Sequence, residues 1–153
     1  MRRMWTPNLI VVCVDNVDNE VYQGRIYHLY RNQPIYFANI LQMIKWMEAF
    51  YNELEFPKSS TKDRYFVKKK YPMLQGGKRV LSKNQIMKQK GKQGTFLVRV
   101  QYRQNATWQG QITWVEGQET KSFRSVLEML KLMDNVIDIE EERKGEAIGY
   151  EEE

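Results

Sequence analysis

Phe96, Val98, Val100 and Tyr102 alternate with Leu97, Arg99, Gln101 and Arg103. A period of two describes a β-strand with one wet face, so Arg99 and Arg103 are expected on that face together with Gln101, Thr107, Gln109, Gln111 and Thr113. Guanidinium groups and amides on an open sheet suit contact with phosphates and base edges. A second set of cations precedes them. Lys68, Lys69, Lys70, Lys78, Arg79, Lys88, Lys90 and Lys92 lie between residues 58 and 92, where twelve Lys or Arg face one acid, Asp63. Tyr65, Phe66 and Tyr71 are interleaved with them. Lysines that displace counterions, beside aromatics that stack on bases, are the means by which single-stranded nucleic acid is held. These ten cationic residues are the candidate nucleic-acid-binding set.

The remaining reactive residue types argue against catalysis. The chain has one histidine, His28, and one cysteine, Cys13, too few for a zinc or iron site and too few for a disulfide. Cys13 has no histidine in its own segment to activate a thiolate, and His28 falls on a strand face expected to be buried. No phosphate-binding glycine loop, dinucleotide fingerprint or nucleophile elbow is present. A non-enzymatic protein with no metal and no cofactor is therefore expected. A lone cysteine suits a reducing compartment, and the cytoplasm is the expected location. The apolar run after Arg2 and Arg3 is short, ends in Asp15 and Asn16, and reads as a strand rather than a leader; no run is long enough to span a membrane.

The elements that must position the cations occur twice. Sliding the chain along itself by 86 positions aligns residues 9–50 with residues 95–136 without a gap, and eleven of the 42 pairs are identical, among them Val12/Val98, Gln23/Gln109, Gly24/Gly110, Ile26/Ile112, Phe37/Phe123, Met43/Met129 and Met47/Met133. Chance supplies roughly two or three, so the chain reads as an internal duplication. Each copy offers an alternating strand, a reversal at Asn19 or Asn105, a second strand carrying a mid-strand glycine, and a short segment ending in Phe37 or Phe123. Such a glycine predicts a bulge or the close approach of a bulky group, for which His28 and Trp114 are the candidates. Asn39-x-x-Gln42 and Ser125-x-x-Glu128 are helix-start signals. Apolar stripes follow at Ile40, Leu41, Ile44, Met47 and Tyr51, and at Val126, Leu127, Leu130, Met133 and Ile137.

One copy is near the lower size limit for an independent core, so the two are expected to share one. The expected fold is α+β: a tandem β-β-(β)-α duplication forming a mostly antiparallel sheet, with two helices packed on one face about a pseudo-two-fold axis. Residues 1–56 form the first repeat, 57–94 a basic flexible linker, 95–139 the second repeat and 140–153 an acidic tail, the two repeats making one compact domain. The linker composition is too polar to order itself. The sheet face left open is greasy in the first copy, at Val11, Cys13, Tyr27 and Leu29, which calls for a cover such as the linker or another subunit.

Two resemblances bear on function. Arg99 and Arg103, with Asn105, Thr107 and Gly110, resemble the RxxxR and [DN]xSxxG elements of PilZ-type cyclic-di-GMP receptors, which implies a cyclic dinucleotide as ligand. In that family some tens of residues separate the two elements, whereas here they are contiguous on one hairpin, which removes the clamping loop. The whole second copy, with "RQNATWQG" and "SFRSVLEML", is similar to an uncharacterised family of small two-copy proteins of Gram-positive anaerobes, a likeness that carries no activity and no residue role. The expected function is that of an intracellular binding protein associated with nucleic acid through the linker and the polar sheet face. The alternative is a protein-interaction adaptor or inhibitor acting through a hydrophobic sheet face or helix groove. Either is expected as a monomer or homodimer, without a membrane.

Overall fold

A computed structural model describes residues 7–59, 64, 66–104 and 107–152, the side chains of residues 140–152 excepted. Tyr65 and Asn105 lie outside the described residues, as do the side chains of the acidic segment. The alternating segments form strands β1 (Ile10–Asp18), β2 (Val21–Tyr27), β3 (Ile35–Phe37), β4 (Gly94–Tyr102), β5 (Gln109–Trp114) and β6 (Glu119–Phe123). They make one six-stranded antiparallel sheet in the order β3-β2-β1-β4-β5-β6. With helices α1 (Ile40–Leu54), α2 (Lys83–Met87) and α3 (Val126–Glu152), the chain is α+β. The first hairpin reverses at Asn19 and Glu20, both at positive φ, the conformation that favours Asn in a tight turn.

Both long helices begin where the sequence signals them. Asn39 Oδ1 accepts from the Gln42 amide while Gln42 Oε1 accepts from the Ala38 amide; Ser125 Oγ accepts from the Glu128 amide while Glu128 Oε1 accepts from the Arg124 amide. These reciprocal bonds satisfy amides left free in a first helical turn. The buried stripes are Met43, Met47, Phe50 and Tyr51, and Met129, Met133, Val136 and Ile137. Leu41 and Leu127, placed in the stripes by periodicity, are instead 70% and 61% exposed, because the stripe centres on the methionines. Helix α3 continues through Glu152, so the segment read as a tail is helical in its backbone. No helix among the described residues is long and apolar enough to cross a membrane.

The register of one half is that of the other at a constant separation of 86 residues. Val14 lies opposite Gly24 and Val100 opposite Gly110; Arg25 lies opposite Tyr36 and Gln111 opposite Ser122. Each long strand carries a bulge at the same place, between Val14 and Asn16 and between Val100 and Tyr102. The mid-strand glycines sit across from these bulges. A Cβ on Gly24 would come 1.9 Å from the Cys13 carbonyl oxygen, and one on Gly110 1.9 Å from that of Arg99. The close group is therefore the neighbouring backbone, with the Phe37 ring beside Gly24, and not His28 or Trp114. Gly110→Ala must push two strands apart; a loss of roughly 3 kcal/mol in a urea melt is expected.

The helical face of the sheet buries Val12, Val14, Tyr22, Ile26, Phe96, Val98, Val100, Trp108 and Ile112 in one cluster with α1 and α3. Contacts cross between the halves. Tyr51 of α1 meets Trp108, the residue before β5, edge-on at 5.3 Å, and the Tyr22 hydroxyl of β2 donates to Asp134 of α3. Neither half closes its core alone, in keeping with its small size.

The linker departs from expectation. Its polar composition predicts a chain unable to order itself, yet Met73 and Ile86 are buried and Tyr71, Leu74, Leu81 and Met87 pack against the core. Main-chain bonds fix it: the Gln75 amide donates to Tyr30 O, those of Val80 and Leu81 to Leu29 O, and that of Gln93 to Val14 O. Short helix α2 closes its own capping box between Ser82 and Gln85. A few well-spaced apolar anchors outweigh the lysines between them, which stay in solvent.

Candidate nucleic-acid interface

Cross-strand pairing decides which residues share a face. Arg99, Gln111 and Ser122 form one row across β4, β5 and β6, and Leu97, Thr113 and Thr120 the next. This is the face opposite α1 and α3. The second row continues into Val11 and Tyr27, so a single line across the sheet runs from buried Tyr27, Val11 and Leu97 to half-buried Thr113 and exposed Thr120. The change follows the linker. Tyr27 and buried Ile86 line one cavity, and Arg25, on the same face, donates to the Lys90 carbonyl at 2.8 Å, so α2 and the chain after it cover the greasy first half, while Leu97 and Thr95 of β4 are buried as well and the surface opens from Arg99 across β5 and β6.

Arg103 is not on this face. The bulge at Val100/Tyr102 inserts one residue and turns the chain over, which exposes Tyr102 to 56% and buries Arg103 to 6%. Its guanidinium donates to Pro57 O (2.6 Å), Asn52 Oδ1 (2.6 Å) and Tyr51 O (3.5 Å), and lies over the Tyr51 ring. It ties β4 to the end of α1. The RxxxR likeness fails with it, since two arginines on opposite faces cannot grip one cyclic dinucleotide. One sequence signal pointed this way: the counterpart of Arg103 is Val17, which packs against the core.

Arg99 differs in kind. It is half-buried, its Nε lies out of solvent with no hydrogen-bond partner among the described residues, and burial lowers its pKa from the usual guanidinium value. A charge held in a partly dry site without an opposite charge is unfavourable until an anion arrives. Its surroundings on the paired rows are Gln109, Gln111, Thr113, Thr120 and Ser122, with no Asp or Glu in these rows. Tyr102 stands at the rim; periodicity had assigned its ring to the apolar side.

The lysines divide into groups. Lys68, Lys69 and Lys70 are exposed and lead into Tyr71, which packs edge-on against Trp46 of α1 at 5.3 Å, on the helical side of the sheet. Lys78 and Arg79 follow a turn at Gly76 and Gly77, next to the Leu29 end of β2. Lys88, Lys90 and Lys92 lie on the open-face side: the Lys90 carbonyl accepts from Arg25, and the Lys92 amide donates to Asp15. Arg25 is held by Asp15 in two bonds of 2.8 and 3.1 Å and donates to the Tyr27 hydroxyl, so its charge is spent in pinning the linker. The Gly91 amide donates to Thr95 Oγ1 at 2.8 Å, which sets this lysine group about four strand residues, or roughly 13 Å, from Arg99. The face thus unites Arg99 with Lys88, Lys90 and Lys92, and separates them from Arg103 and from Lys68, Lys69 and Lys70.

The single cysteine is not poised to react. Burial pushes the Cys13 thiol up to about 12, partly opposed by Arg25, so it stays protonated. A charged disulfide reagent at pH 8 is expected to leave the native thiol unmodified and to titrate one equivalent after denaturation. No group of acidic, histidine or cysteine side chains among the described residues could hold a metal ion. Comparison of the chain with protein-family models, curated proteins and solved structures finds no match to any of them.

Proposed function

We propose that the protein binds single-stranded nucleic acid across the open face of β4, β5 and β6, with Arg99 taking a phosphate, the glutamines and hydroxyls meeting base edges, Tyr102 offering a stacking surface and Lys88, Lys90 and Lys92 flanking the path. The observation that carries this reading is the half-buried Arg99, its Nε without a hydrogen-bond partner among the described residues, beside cross-strand rows of β4, β5 and β6 that contain no carboxylate. We also infer that the two halves descend from one duplicated β-β-β-α unit and relate by a pseudo-two-fold axis through the Val11/Leu97 pair. The matching registers and bulges support that descent, and the different covers of the two open faces support a division of labour in which the first face holds the linker and the second the ligand.

Fluorescence anisotropy with a labelled oligonucleotide at low salt tests the site. Arg99→Ala is expected to weaken binding about tenfold, the loss of one charge-assisted contact. Replacing Lys88, Lys90 and Lys92 by Gln should flatten the salt dependence by about two in log-log slope. Replacing Lys68, Lys69 and Lys70 should change both far less. Unaltered affinity in Arg99→Ala would rule the proposal out.

A further inference from the structure

On the helical side of the sheet, each half has a groove between its helix and the end of its second strand, and the described residues fill one of them and leave the other open. In the first half the occupant is the extended linker segment Tyr71–Leu74. Tyr71 packs on Trp46, His28 Nε2 donates to the Met73 carbonyl at 3.0 Å while the ring stacks on Phe50, and Glu53 Oε2 accepts from the amides of Met73 and Leu74 at 2.6 and 3.0 Å. The counterparts of His28, Trp46, Phe50 and Glu53, 86 positions on, are Trp114, Leu132, Val136 and Ile139. All four line a cavity of about 150 Å³ that holds no described residue. Its size suits one aliphatic side chain.

Two polar side chains of the open groove, whose lining also includes Glu119 and Lys121, bear on what it takes. Trp114 Nε1–H is buried with no acceptor among the described residues, and it belongs to the side chain standing where His28 donates to a main-chain carbonyl. A buried donor left unpaired is uncommon and costs stability until an acceptor comes. Ile139 cannot capture amides as Glu53 does, but the cavity has gained Asn135 where the first half has Ala49, and an amide side chain both donates and accepts.

We propose that this groove binds an extended apolar segment of a partner protein, seated as Tyr71–Leu74 is seated in the first half, with a Met- or Leu-like side chain in the cavity and a main-chain carbonyl on Trp114 Nε1. The occupant is a peptide because the matching groove holds one. It comes from a partner because this chain's own Tyr71–Leu74 is held elsewhere by four hydrogen-bonding and ring contacts. This site lies on the sheet face opposite Arg99, so the protein holds nucleic acid on one side and a protein on the other.

The test uses the full isotope-labelled chain and a synthetic peptide with blocked ends carrying residues 70–75, Lys-Tyr-Pro-Met-Leu-Gln. The Trp114 indole N–H resonance is expected to move downfield and saturate, while the Arg99 amide stays still. A peptide with Asp in place of the Met should bind at least tenfold more weakly, as should the original peptide with the Leu132→Lys chain. The substituted peptide keeps the test decisive if that variant does not fold. An unmoved Trp114 at millimolar peptide, movement of Trp46 in its place, or equal binding of the Asp peptide would overturn the proposal, and so would self-association abolished by Leu132→Lys, which would make the occupant a second copy.

Discussion

Arg103→Ala is expected to lower folding stability by about 4 kcal/mol, whereas Arg99→Ala leaves it unchanged or raises it slightly. Arg99 lies in β4 and Arg103 directly after its last residue, and composition does not distinguish them. Arg103 is nearly inaccessible and supplies donors to Pro57 O, Asn52 Oδ1 and Tyr51 O, with its plane over the Tyr51 ring. Truncation leaves those acceptors without donors in a dry junction and opens a void the size of the side chain. Hydrogen bonds to a charged group contribute about 1.5–3 kcal/mol each, and the cavity adds to the loss. Because α1 and β4 meet at this junction, the unfolding transition should stay cooperative while its midpoint falls. Arg99 has no such partners, so removing it relieves a desolvated charge. Urea melts of the two variants side by side measure the contrast; equal losses would mean that the bulge does not separate the two faces.

The second large effect is on pH. His28 is 1% exposed and stacked on Phe50, with Nδ1 accepting from the Tyr30 amide and Nε2–H donating to Met73 O, which fixes the neutral tautomer. Burial lowers its pKa from 6.5 to about 4, with the Met73 carbonyl opposing and Arg31 adding to the drop. The unfolded chain therefore takes up this proton at a higher pH than the folded chain does. Stability from the neutral ring is complete above about pH 6.5 and is lost as the pH falls towards 4, after which the term is constant. The total is about 3 kcal/mol, from 1.36 kcal/mol for each pH unit between the two values. In His28→Phe the Met73 carbonyl and Tyr30 amide lose their partner, so the variant is less stable at neutral pH, but its profile should lack this slope. Parallel profiles for wild type and variant between pH 4 and 6.5 would contradict the assignment.

The halves, their strands and their helix starts were legible because they are local: alternation, a repeated glycine and Asn39-x-x-Gln42 each act over a few residues. What escaped was what one bulge does further along. Periodicity carried Gln101, Tyr102 and Arg103 past the bulge as though the strand were regular, so Tyr102 was placed inside and Arg103 outside, the reverse of what forms. The repeated Gly110 held the clue, since its lack of a Cβ is needed only where the backbone of β4 presses close. Linker order was hidden for another reason. Met73 and Ile86 are two apolar residues among many lysines, and they count only because residues distant in sequence hold the chain around them: His28 and Glu53 bond the main chain of Met73, and Leu29 O takes the amides of Val80 and Leu81 ahead of Ile86. The candidate site was half legible: Arg99, Gln109, Gln111 and Thr113 follow from regular alternation, whereas the division of the lysines between two faces depends on the path of the linker.

Amide shift mapping of the full chain with a single-stranded oligonucleotide of about twelve nucleotides at low salt is the most direct measurement of where nucleic acid sits. The expected result is movement of Arg99, Gln101, Gln111, Thr113 and Ser122, with smaller changes at Lys88, Lys90 and Lys92 and none along α1 or at Lys68, Lys69 and Lys70. No movement at all, or movement centred on those three lysines and Trp46, would contradict the open face as the binding surface.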